Sequence, residues 1–207
     1  MIDNKHAEFF EYTLAELDAL KKKDKKLAAV IESYGVIKRK VNKDLFPALI
    51  RSIISQQISG KAADTVENRL LELCEEITPT HIHETDITAI QKCGMSMRKA
   101  QYIKEAGEAV YNGAIDIFSL SDMTDMEIIS LLSGLPGIGV WTAEMMLIFS
   151  LGRMDVLSYG DLAIRRGICK LYGHKALTKE QFDRYKKRYS PYGSIASLYL
   201  WRLSVEQ

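Results

Sequence analysis

The densest chemical signal in the chain is Leu135-Pro136-Gly137-Ile138-Gly139, set between two stretches of helical apolar spacing. Gly137 and Gly139 are free to take positive φ and to let another backbone approach closely. The helix expected to begin near Val140 directs its unpaired N–H groups and its dipole out of the turn. Such a helix start holds an anion, and backbone N–H groups grip a phosphate without reading a base. The competing reading of a generic Gly-x-Gly is a tight connection between two helices. Asp161 stands just before another helical pattern, where a carboxylate serves as an N-cap, as a fixed charge for chemistry, or as both. Trp141 and Trp201 are the two tryptophans of the chain; on helices they are either core or aromatic walls for a flat or cationic ligand. Gln56-Gln57 closes an apolar helix as a polar tip.

The cysteines, Cys74, Cys93 and Cys169, are widely separated and show no C-x-x-C spacing. That spacing argues against a zinc site or an iron-sulfur cluster, and the three read as reduced, mostly buried thiols. The formal net charge is only +1, but it is unevenly spread. Residues 21–43 and 165–188 are strongly basic, whereas the acids gather between them, from Glu72 to Glu127. This asymmetry suits a neutral protein that turns a basic face to a polyanion, although solvated helix faces explain most charge runs. No apolar run approaches the length of a membrane span, and MIDNKHAEFF lacks the basic-then-apolar layout of a secretory signal. The expectation is a cytoplasmic protein with no membrane partner, nucleoid-associated if bacterial.

The elements that must position these residues are helices. Ser59 is a suitable N-cap for a helix over residues 60–76, with Ala63, Val66, Leu70 and Leu73 on one face. Asp44 is placed to cap the preceding helix, where Pro47 falls in the first turn and Leu49, Ile53 and Ile54 point inward. Thr124 and Glu127 form a capping box for the helix that Gly134 stops. Further helices are predicted over 13–33, 96–111, 140–151, 161–172, 178–189 and 193–204. The expected fold class is all-α, and its 207 residues suffice for one large domain or two small lobes sharing a cleft.

With Trp141-Thr142-Ala143 following it, the Leu-Pro-Gly-Ile-Gly turn resembles the hairpin of the helix-hairpin-helix (HhH-GPD) DNA glycosylase superfamily. Three other blocks follow suit, in the order of that superfamily. LIRSIISQQISGKAA (49–63) is similar to its helix and turn that enter the duplex at a lesion, and GMSMRKAQYI (94–103) to its G-x-S-x-x-K-A-x-Y-I stretch. SPYGSIASLYLWR (190–202) resembles the closing helix of the alkylation-repair branch, the DNA-3-methyladenine glycosylase II proteins. The resemblance covers nearly the whole chain. It implies a two-lobed fold, with residues 36–152 as a helical barrel carrying the hairpin, 1–35 and 153–207 as a discontinuous second lobe, and Asp161 in the cleft.

The resemblance assigns roles residue by residue. Asp161 takes the place of the catalytic carboxylate. Breaking an N-glycosidic bond builds positive charge on the deoxyribose, which a fixed carboxylate stabilises. Trp141 stands where strand-cutting members carry a Schiff-base Lys, and indole is no amine nucleophile. A monofunctional enzyme that uses water and needs no cofactor is therefore implied. Trp141, Trp201 and Met145 are implied to line the base pocket. Gly137, Gly139 and Thr142 are implied to bind a DNA phosphate, and Gln57, or its neighbour Gln56, to fill the gap left by the flipped base. The carbonyls of Ser133, Leu135 and Ile138 correspond to those that hold a monovalent cation, Na+ or K+, in relatives, whereas the iron-sulfur cluster of some relatives is not expected. The implied partner is double-stranded DNA with damaged bases, bound by a monomer.

Three positions depart from the pattern. Gly160 replaces a second Asp, Met145 replaces an aromatic, and Gly193 replaces an Arg of the closing motif. These departures leave substrate range open. Two other readings stand beside an alkylpurine glycosylase: a glycosylase of the same fold for oxidised guanine or a deaminated pyrimidine, and a helix-hairpin-helix DNA-binding module without catalysis.

Overall fold

A computed structural model describes residues 8–206. The residues 1–7, on which part of the signal-peptide reading rests, lie outside this range. Twelve α-helices are assigned among the described residues: α1 (Leu14–Lys23), α2 (Lys25–Tyr34), α3 (Leu45–Ile54), α4 (Gly60–Cys74), α5 (Pro79–Glu84), α6 (Ile87–Lys92), α7 (Met97–Tyr111), α8 (Asp125–Ser133), α9 (Val140–Phe149), α10 (Leu162–Tyr172), α11 (Lys179–Tyr189) and α12 (Gly193–Ser204). The fold is all-α. An isolated antiparallel bridge, Phe9 with Lys40, is the one β-type pairing among the described residues.

The chain divides into two compact units, one from Asn42 to Met146, the other combining the chain up to Val41 with the chain from Leu147 onward. The expected boundaries, 36 and 152, therefore move by several residues. The segment before Val41 stays with the terminal unit because the Phe10 N–H donates to the Arg39 carbonyl at 2.8 Å and the Val41 N–H to the Glu8 carbonyl at 3.0 Å.

In the Asn42–Met146 unit, α7 packs against α3, α5 and α6. Ser96 caps α7, its side chain accepting from the Lys99 N–H at 3.3 Å. A Cβ on Gly107 would come within 2.4 Å of Ile82, so glycine allows α5 to lie this close. Ser59 caps α4 as expected, and Ala63, Val66 and Leu70 are buried. Leu73, however, is exposed and Cys74 is buried in its stead. Asp44 occupies the N-cap of α3 without accepting a side-chain cap bond; its own N–H donates to the Asn42 Oδ1.

In the terminal unit, α12 is the buried centre, with every residue from Gly193 to Leu200 out of solvent, and α10 and α2 pack against it. A Cβ on Gly167 of α10 would lie 2.3 Å from the Leu200 carbonyl oxygen, so these two helices touch backbone to backbone there. The single helix expected over 13–33 is two. Asp24 adopts extended backbone between α1 and α2, and its Oδ1 accepts the Lys26 and Leu27 N–H groups, both at 3.0 Å. Its Oδ2 accepts from Arg188 Nη1 at 2.7 Å and from the Tyr172 hydroxyl. An acid in a lysine-rich run thus breaks the helix because its carboxylate caps the next one and meets a cation from α11.

Candidate active site

The segment entering α10 is stitched to the start of α12. The Ser194 hydroxyl donates to the Arg153 carbonyl at 2.6 Å and accepts the Val156 N–H at 3.0 Å, while the Ser197 hydroxyl donates to the Val156 carbonyl at 3.1 Å. Asp155 Oδ1 accepts the Gly193 N–H at 3.1 Å, and a Cβ on Gly193 would sit only 3.0 Å from that oxygen. The crowding explains why glycine occupies this place in the closing block.

So delivered, Asp161 is the N-cap of α10. Its Oδ1 accepts the Ala163 N–H at 2.8 Å and the Ile164 N–H at 2.9 Å, and the residue is only 6% exposed. Its Oδ2 accepts the Trp201 indole N–H at 3.1 Å. Of the two roles offered for Asp161, the cap is observed, and its bonds also hold the carboxyl group in place at the positive end of the helix dipole. Trp201 is thus brought to the carboxylate as a hydrogen-bond donor. Its ring also meets Phe149, with centroids 5.5 Å apart and planes tilted by 31°. The Arg39 guanidinium lies 5.1 Å from the Phe149 ring centroid. Sequence reasoning passed over both residues. Phe149 carried a signal, since Trp141, Met145 and Phe149 follow the i, i+4, i+8 spacing of one helical stripe. Arg39 was counted only within a basic run.

The hairpin lies in the Asn42–Met146 unit. Thr124 and Glu127 form the expected capping box of α8. Leu135 and Ile138 are buried and anchor the turn, whose closing bond runs from the Ile138 N–H to the Leu135 carbonyl at 3.1 Å. Gly137 needs to be glycine twice over: its φ is +84°, and a Cβ would lie 2.3 Å from the Tyr102 ring. Gly139 does not take positive φ, and the space where its Cβ would be is open. Its carbonyl accepts the Ala143 N–H at 3.1 Å, which opens α9, and Gly139, Val140 and Trp141 are all exposed there. Thr142, by contrast, is buried, and Met145 is half-buried.

The paired glutamines differ in their surroundings. Gln56 is half-buried, and its Nε2 donates to the Gly137 carbonyl at 2.7 Å. Gln57 is exposed and holds a left-handed backbone, φ +59°, which costs a residue with a Cβ about 1 kcal/mol or more. Cys74 and Cys93 are free and buried, and Cys169 is free and partly exposed.

In chain order, a hairpin ending in an exposed helix start precedes a carboxyl group held at the head of a helix. The sequence profile of the HhH-GPD superfamily of base excision DNA repair proteins matches residues 50–191, which contain both features. The chain belongs to the HhH-GPD superfamily. Within it, DNA-3-methyladenine glycosylase 1 of Schizosaccharomyces pombe is 33% identical over 193 residues, covering 91% of this chain and 85% of that protein. The crystal structure of a DNA-3-methyladenine glycosidase from Bacillus halodurans superimposes with a TM-score of 0.86 at 33% identity, over 96% of this chain and 93% of that one. A 3-methyladenine DNA glycosylase of Schizosaccharomyces pombe in complex with abasic DNA gives a TM-score of 0.78 at 31% identity, over 91% and 95% of the two chains.

Proposed function

We propose that this HhH-GPD protein is a monofunctional DNA N-glycosylase that removes alkylated purines of the 3-methyladenine type, the type II activity, from double-stranded DNA. The observation that carries the reading is Asp161, held on one oxygen by two backbone N–H groups and on the other by the Trp201 indole. A carboxylate so restrained needs no reorganisation when positive charge develops on the deoxyribose. The glycosidic C–N bond breaks with its electron pair going to the base, and an alkylated, cationic purine leaves as a neutral one. Water adds its oxygen to the anomeric carbon and releases a proton. Trp141 supplies no amine, so the step ends at an abasic site.

The names of the superfamily relatives support the alkylated base as the target. The exposed indole of Trp141 is a stacking face for an electron-poor base, worth about 0.5–2 kcal/mol, and Met145 adds a polarizable side chain. The exposed helix start at Gly139 and Val140 is suited to a DNA phosphate through N–H groups alone, and burial leaves Thr142 to support them. Gln57, exposed and backbone-fixed, is the residue assigned to the gap left by the extruded base. The Leu135 carbonyl already accepts one N–H and retains a second lone pair. With the carbonyls of Ser133 and Ile138 it suits a Na+ or K+ ion, whose charge would add to the pull of the hairpin on a phosphate. The reading is of a monomer, since the step calls on no second copy.

The test is excision from duplexes carrying one defined lesion, with alkali used to reveal abasic sites. The protein releases an alkylated purine, and Asp161→Asn lowers the single-turnover rate by about 100-fold or more while duplex affinity is kept. Undiminished excision by that variant removes Asp161 from the chemistry, and strand cutting without alkali refutes the monofunctional step.

A further inference from the structure

The stretch from Gly94 to Ile103 stands out in the sequence, yet neither Asp161 nor the anion site of the hairpin accounts for it. Two of its side chains, Lys99 and Tyr102, lie three apart on α7 and so share a face. Lys99 Nζ donates to the Ile54 carbonyl at 2.8 Å and to the Gln56 carbonyl at 2.5 Å. The Ile54 carbonyl ends α3 and the Gln56 carbonyl lies in the turn that follows, where the helix dipole favours a cation. Gln57, with its left-handed backbone, comes next in the chain. Tyr102 fills the space beside Gly137, and Gln56 donates to the Gly137 carbonyl, so the turn and the hairpin are also tied to each other. Burial pushes the Lys99 ammonium below the usual lysine range, whereas carbonyl acceptors favour its charged form.

We infer that Lys99 is a positioning residue for base extrusion: it pins the carbonyls on either side of Ser55, holds Gln57 in its outward, left-handed conformation, and keeps that tip in register with the hairpin through Gln56 and Tyr102. A lysine in a DNA-binding protein is ordinarily assigned to a phosphate. Here its donors are directed to two carbonyls of the turn before Gln57, and its effect on the DNA is exerted through that glutamine. The inference rests on the proposed glycosylase activity and on Gln57 entering the duplex.

The experiment compares one alkylated purine in two settings: paired within a duplex, where extrusion leaves a gap, and as a single-nucleotide bulge, where it leaves none. Lys99→Met keeps the aliphatic stem and removes the ammonium. Its single-turnover excision is expected to fall about 10-fold on the paired lesion and less than about 2-fold on the bulge, the size of effect that loss of a charged hydrogen bond produces. Gln57→Ala shows the same selectivity, and Lys99→Met combined with Gln57→Ala is no slower than Gln57→Ala alone, because the two act as one unit. Lys99→Arg, which can donate to the same carbonyls, recovers part of the paired-lesion rate. The ratio of the two rates within one preparation does not depend on how much of the protein is folded, and Lys99→Arg carries the comparison if Lys99→Met does not fold. Equal losses on both substrates, or additive losses in the double variant, overturn the inference. Failure of the unsubstituted protein to excise either substrate instead overturns the glycosylase reading.

Discussion

Asp161 and Trp201 stand forty positions apart in sequence, and the indole N–H donates to the carboxylate. A hydrogen bond to an ionised group contributes about 1.5–3 kcal/mol, so its loss is large enough to register in a rate. Trp201→Phe keeps a ring for Phe149 and removes only the donor. We expect the single-turnover excision rate to fall about 10-fold while affinity for the duplex stays within about 2-fold. A rate unchanged by this substitution would mean that the carboxylate is held without the indole. At the hairpin, Gly137→Ala meets both the positive φ and the Tyr102 ring. We expect duplex binding to weaken about 10-fold or more, because the turn must move to admit the methyl group. Titration against a fluorescent duplex reads this directly.

Among the elements, α10 and α12 carry Asp161 and Trp201, and Gly167 sets their separation. Gly167→Ala puts a methyl group against a carbonyl oxygen that cannot swing aside. The expected cost is about 2–3 kcal/mol, seen as a lower urea midpoint at unchanged slope. The junction of α1 and α2 depends on Asp24. Burial alone pushes its carboxyl up, but the Tyr172 hydroxyl, the Leu27 N–H and the Arg188 guanidinium outweigh burial, and the net shift is downward. A carboxyl lowered in the folded state stabilises the protein above its unfolded pKa, and that stability is lost as pH falls through the folded value. We therefore expect Asp24→Asn to destabilise the protein by about 2–3 kcal/mol near neutrality, because Asn keeps the cap but loses the charge that Arg188 and the Tyr172 hydroxyl meet. The gap from the unsubstituted protein should narrow as pH falls below the ordinary aspartate range and through the lowered folded value. A gap that persists undiminished into acid would show that the ionised form contributes nothing.

For the whole molecule, a net charge of +1 means that affinity for DNA must come from where the cations sit. Several cations of the basic runs face the protein itself. Arg188 pairs with Asp24, Lys170 donates to the Leu203 and Glu206 carbonyls, and Lys179 pairs with Asp183. Lys38, Arg39 and Lys40 are exposed, on a segment pinned to residues 8–10 by backbone bonds. Replacing these three with Ala should reduce the slope of log K against log salt by about 2–3, since each neutralised phosphate contributes about 0.9. An unchanged slope would place the phosphate contacts elsewhere.

Much of this protein was legible without coordinates because the signals were local. Helical spacing, the Ser59 cap and the Thr124–Glu127 box depend on residues within one turn of each other, and they held in the fold. The short helices α5 and α6 escaped notice, because six residues carry too little periodicity to read, although Thr78-Pro79 and Asp86 marked their starts. The turn containing Gly137 and the helix-leading Asp161 were also readable, since each is a feature of a few consecutive residues. What only the tertiary structure decided lies between distant segments. That Trp201 donates to Asp161, that Asp24 splits a helix to meet Arg188, that Gln56 is engaged while Gln57 is exposed, and that Lys99 faces carbonyls are all outcomes of packing. A spacing pattern records which face of a helix is apolar, but not which partner from elsewhere in the chain will meet a given polar atom, and at Asp161 that partner decides how firmly the carboxylate is held.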